Sequence, residues 1–179
     1  MNDFKERLKG TISKAIVEDI ALEVLKEPSL FDVLFSLTND IDEKIAWRAL
    51  WCCEKLSQKE AGLFIEKYSE IKQKALNAPN GGIQRTSLNI LYHIDMPEEI
   101  DVEVLNFCIE HMTDISQTPA CQAICMKMAF KICKEEEPQL LEEIKAYLEN
   151  METSYYTAAV NSARYSILKS IKAVKRHKR

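Results

Sequence analysis

Six apolar slots recur along this chain at a spacing of 38 residues. Ile45, Ala49, Leu50, Cys52, Cys53 and Leu56 fill them first. One step of 38 brings Ile83, Ser87, Leu88, Ile90, Leu91 and Ile94, and a second brings Cys121, Cys125, Met126, Met128, Ala129 and Ile132. A last step of 39 brings Val160, Arg164, Tyr165, Ile167, Leu168 and Ile171. Apolar residues at this interval line one face of a helix. The second slot is small in three copies, which lets packed helices approach closely. A second helix fits between successive copies, so the unit is a helical hairpin. One hairpin cannot bury its own apolar face, and the copies must stack.

Helical periodicity continues through nearly the whole chain, without a convincing run of strict alternation. It predicts helices over 12–26, 28–38, 42–56, 58–77, 81–94, 98–114, 119–134, 138–151 and 154–176. Thr118 before Pro119 offers an N-cap hydroxyl and a proline at the first helical position. Ser57 and Glu60 have capping-box spacing, and Asp42 and Asn80 are further caps. Four glycines and five prolines are too few for the turns of an all-β chain. The expectation is an all-α fold in one domain over 1–179. Its architecture would be a right-handed α-solenoid of about four antiparallel helical hairpins plus a final helix.

The stretch Leu34-Phe35-Ser36-Leu37-Thr38-Asn39-Asp40-Ile41-Asp42-Glu43-Lys44-Ile45 resembles the junction of HEAT repeats. An apolar second helix ends there in a short acidic turn, and the next first helix follows. The resemblance implies the stacked-hairpin architecture over most of the chain. That family usually has proline in the turn, where Ile41 stands here. It usually has arginine just after the first apolar slot, where this chain has Ala46, Gln84 and Gln122. The Asp–Arg ladder common in the family is absent.

Charge is uneven. After Glu152 come seven bases and no acid, so the first 152 residues hold 17 bases against 28 acids. Lys172, Lys175, Arg176, Lys178 and Arg179 form a basic tail, which suits a helix C-terminus. The first ten residues have no apolar signal core, and no stretch approaches the ~20 apolar residues of a membrane span. With six cysteines inside apolar helical patterns, the expectation is a cytoplasmic protein with reduced thiols.

Chemistry-bearing motifs are sparse. Gly81-Gly82 is followed by Ile83-Gln84-Arg85, which matches no phosphate-binding loop. Cys121 with Cys125, and Cys108 with His111, lack the spacing of a four-ligand zinc site. His93 and His111 fall at helix C-terminal turns, where a partial positive charge is favoured. No nucleophile, base and orienting group come together. The expectation is no catalytic residue, no metal and no cofactor.

Two surfaces remain as candidates. Trp47 and Trp51, at i and i+4, lie on a stripe that is mostly polar in the later copies, at Arg85 and Asn89, Ala123 and Lys127, and Ser162 and Ser166. The N-terminal helix is expected to fold over them. Left open, they would anchor a partner or a second copy. The second surface is acidic. Its residues are Glu98, Glu99, Asp101, Glu103, Glu110 and Asp114, then Glu135, Glu136, Glu137, Glu142, Glu143, Glu149 and Glu152. In proteins resembling HEAT repeats these second helices line the concave side, which implies a groove for a protein or basic peptide. A homo-oligomer pairing the basic tail with this face is a further arrangement. Some relatives of such repeats are DNA alkylation-repair glycosylases, with a basic cleft and a catalytic aspartate. No residue here takes that aspartate's place, and the acidic helices argue against nucleic acid.

Overall fold

The computed structural model describes residues 3–95, 100–136 and 138–177. Among these residues there are ten α-helices, four 3-10 segments and no strand. The fold class is all-α, built of the packed helical hairpins of an α-solenoid. Contacts divide the chain into two compact units, Met1–Asp95 and Met96–Arg179.

The first unit holds α1 (Phe4–Lys9), α2 (Lys14–Lys26), α3 (Phe31–Ser36), α4 (Glu43–Ser57), α5 (Tyr68–Asn77) and α6 (Gly81–His93). Short polar side chains start four of these helices by accepting orphan backbone N–H groups. Asp3 accepts from Glu6 at 3.1 Å, Ser13 from Ile16 at 3.3 Å, Asp42 from Lys44 at 2.9 Å and Asn80 from Gly82 at 2.8 Å. The helix expected over 28–38 is α3 flanked by 3-10 turns at Pro28–Leu30 and Leu37–Asn39. The one expected over 58–77 is a 3-10 segment, Ala61–Lys67, running into α5.

The Ser57–Glu60 capping box does not form. Ser57 ends α4, where its hydroxyl donates to the Glu54 carbonyl at 2.9 Å. Glu60 precedes the 3-10 segment without a side-chain cap. The apolar pattern of α4 runs through Ser57, and a serine in such a helix bonds back to its own turn.

Helix α4 packs against α2 on one side and α6 on the other. Its six repeat slots, Ile45 to Leu56, are all 2% exposed or less. Each large aliphatic side chain so buried contributes roughly 1.5–3 kcal/mol. Below α4, Phe31 meets Phe64 edge-on at 4.9 Å and Phe35 at 5.6 Å. Arg48, only 7% exposed, crosses to the end of α1. Its guanidinium donates to the carbonyls of Leu8 at 2.5 Å and Gly10 at 2.7 Å, and more weakly to Lys9 at 3.3 Å. A cation on the carbonyl end of a helix is favoured by the dipole and satisfies groups the helix leaves open.

The second unit holds α7 (Val102–Met112), α8 (Pro119–Glu136), α9 (Pro138–Glu149) and α10 (Ala158–His177), with a 3-10 turn at Thr153–Tyr155. Thr118 caps α8 as its position predicts, accepting from Cys121 N–H at 3.3 Å. Helix α8 packs against α7, α9 and α10. Its slots Cys121, Cys125, Met126, Met128, Ala129 and Ile132 are at most 4% exposed. In α10, Val160, Ile167 and Ile171 are buried, whereas Tyr165 is 67% exposed.

Three carboxamides occupy one repeat position and do one job. Gln84 donates from Nε2 to the Leu76 carbonyl at 3.5 Å, Gln122 to Asp114 at 2.8 Å, and Asn161 from Nδ2 to Thr153 at 3.0 Å. Each reaches eight residues back, across the turn that precedes its helix. Arg164 does similar work from its own slot, donating to the carbonyls of Leu148 and Glu149 at the end of α9. That explains a long cation where the other copies hold a small residue.

Candidate protein-interaction surface

Cysteine chemistry is closed off by packing. All six thiols are free and buried. Desolvation pushes Cys52 up to about 12 and Cys53 well above the ordinary range, against the weaker pull of Arg7 and Lys74 respectively. Hydrogen bonding with Cys108 is the main reason that Cys125 also stays protonated. The thiolate is the nucleophile and metal ligand, so thiols held protonated are poor at both roles. Among the described residues, no group of three His, Cys, Asp or Glu could hold a metal ion. His111 donates from Nδ1 to the Phe107 carbonyl, 2.8 Å away, and stacks on the Phe107 ring.

The tryptophans lie in the first unit. Their indoles stack at 5.7 Å with planes 26° apart. Helix α2 packs on α4 and buries Val17, Ile20, Ala21 and Val24, while both indoles keep partial exposure. A methyl placed on Gly82 would come 3.7 Å from Trp47 Nε1, so that ring lies along the first turn of α6. The equivalent column in α6 faces a neighbour too. Asn89 donates to buried Glu54 at 3.1 Å; burial raises that carboxyl above its ordinary value, and Arg85 offsets part of the rise.

The acidic residues of the second unit divide into two kinds. Asp101 is the N-cap of α7, accepting from Val104 N–H at 3.2 Å. Asp114 accepts from both Ser116 N–H and Ser116 Oγ at 2.8 Å, and these bonds hold its carboxyl below the ordinary range. Both are occupied with local turns. Glu103, Glu110, Glu142 and Glu143 stand exposed. Glu149 is held below the usual glutamate range, first by its bond with Lys145 and further by nearby Lys172 and Arg164. The basic face of α10 is therefore partly answered within its own unit. Glu98, Glu99, Glu137, Lys178 and Arg179 lie outside the described residues, as do the side chains of Glu135, Glu136, Lys175 and Arg176.

Where α7 and α9 end, the second unit forms a surface that sequence patterning did not single out. A hollow of about 290 Å³ is lined by Thr113, Tyr147, Asn150, Met151, Glu152, Tyr155 and Tyr156. A second, of about 230 Å³, shares Tyr147 and Asn150 and adds Glu143 and Ala146. Tyr156 donates its hydroxyl to the Thr113 carbonyl at 2.6 Å, tying the end of α7 to the turn after α9. Met151, 7% exposed, closes the floor. The walls stay open, with Tyr147 49% and Tyr155 73% exposed. Each of those rings has its hydroxyl free among the described residues.

A model of the HEAT repeat domain matches residues 4–171. The chain belongs to the HEAT repeat family. No curated protein and no solved structure matches it. The HEAT repeat match spans both compact units and all four copies of the apolar slots. The matched span contains the three carboxamides of the repeat position. Gln84 and Gln122 bind the preceding turn without adding charge. Among the described residues, no helix of this HEAT repeat chain is long and apolar enough to cross a membrane.

Proposed function

We propose that this HEAT repeat protein is a non-catalytic interaction module that binds a basic protein segment on its second unit. The observation that carries the reading is the paired hollow at the end of α9, with open tyrosines and carboxylates on one rim. Charge supports it. Residues 96–152 contain 13 acids and four bases, a field that draws in cations and repels polyanions. Aromatic anchors within a polar rim are the usual composition of a protein-binding patch.

Fluorescence anisotropy with two labelled peptides of equal length tests this. A peptide rich in Lys and Arg is expected to bind, weakening as salt rises, while one rich in Asp and Glu does not. Glu143→Lys lowers affinity for the basic peptide. Equal binding of both peptides, or tighter binding of the acidic one, contradicts the proposal. Salt-sensitive binding of duplex DNA tighter than that of the basic peptide would instead favour a nucleic-acid partner.

A further inference from the structure

We infer that the hollow between Tyr147 and Tyr155 reads arginine in particular, seating a guanidinium group of the bound segment. The inference rests on the basic-partner reading above and names the chemistry that the partner must carry. Both tyrosines line the same hollow of about 290 Å³, and both stay largely exposed, at 49% and 73%. A hollow of that size, walled by two tyrosines, has room for a planar cation. Guanidinium stacks on aromatic faces and is weakly hydrated, whereas an ammonium is compact and holds its water. Cation–π attraction adds to this wherever the ring is partly desolvated.

The polar groups of the hollow suit five N–H donors and no acceptor. Glu152 accepts one bond from Ser154 Oγ at 3.0 Å and keeps further acceptor capacity. Glu143, on the adjoining hollow, has no cationic partner among the described residues. Asn150 offers a side-chain carbonyl between the two. A carboxylate beside an aromatic wall binds a fork of donors in fixed geometry, which favours Arg over Lys. The frame is set before binding, because Tyr156 is tied to Thr113 and Met151 is buried beneath. Little ordering entropy is then lost on association.

Two peptides of identical length and charge, one with every cation Arg and the other with every cation Lys, decide the matter against the full chain. Isothermal titration is expected to show the Arg peptide binding about fivefold tighter or more. Tyr147→Leu or Tyr155→Leu should bring the Arg peptide down to the Lys peptide's level. Tyr147→Phe, which keeps the ring, should preserve most of the preference. Both positions are exposed, and circular dichroism with a thermal melt verifies that each variant folds. Equal affinities for the two peptides overturn arginine selectivity and leave the basic-partner reading standing. A preference that survives both leucine variants overturns the placement between the tyrosines. Failure of both peptides to bind overturns the inference together with the reading beneath it.

Discussion

Gln122 reaches back from the start of α8 and donates to the carbonyl of Asp114 at 2.8 Å, with only 3% of the glutamine exposed. Replacing it by leucine keeps the volume and removes the donor. The expected loss is about 1 kcal/mol, since the Asp114 carbonyl loses one of its two donors and keeps the Gln117 N–H at 3.1 Å. Gln84→Leu should cost less, because its bond is 3.5 Å long and the residue is half-buried. Urea denaturation of the two variants gives the order. Equal losses would show that these amides do not act through the bonds described.

Arg48 is a buried cation that, among the described residues, is answered at the end of α1, so removing it leaves three carbonyls short of a donor. Arg48→Met is expected to destabilise the chain by roughly 2–4 kcal/mol. Amide exchange should rise first in Phe4–Lys9. A melt within about 0.5 kcal/mol of the parent would mean that the guanidinium is no more than tolerated there.

Much of this fold is legible in the sequence because its causes are local. The repeat slots, and the caps at Asp42, Asn80 and Thr118, depend on residues within a turn or two of one another. Helix α1 is six residues long, too short for a periodic signal, and Arg48 joins it from about 40 positions away. The tyrosine hollow is illegible for the same reason. Tyr147, Tyr155 and Thr113 come from three separate segments. Sequence patterning grouped the acids of this unit, but could not separate Asp101 and Asp114, bound to their own backbone turns, from Glu110 and Glu143, which are exposed.

Glu54 gives stability an unusual dependence on pH. Burial raises its carboxyl above the ordinary 4.5, only partly offset by Arg85, Lys55 and the Asn89 amide. The native state therefore holds this proton more tightly than the unfolded chain does. This group favours folding most below 4.5, and its contribution declines as pH rises from there through the raised native value. Glu54→Gln keeps an acceptor for Asn89 and removes the charge. The variant should be more stable than the parent near neutral pH, with the gap closing in acid. A gap that widens in acid would reverse the assignment.

The thiols report on packing. With all six buried and free, the native protein should react slowly with an aromatic disulfide reagent, and six equivalents should react once it is unfolded. Desolvation that lifts Cys52 to about 12 leaves little thiolate at neutral pH. Rapid labelling of two or more cysteines under native conditions would show that the core opens more readily than its burial implies.

Hydrogen exchange with and without a saturating arginine-rich peptide locates the binding surface on the chain. Exchange should slow in residues 143–156 and at the end of α7 around Thr113, with little change in α4 around Trp47 and Trp51. Protection confined to the tryptophan-bearing helix, with 143–156 unchanged, would contradict that placement.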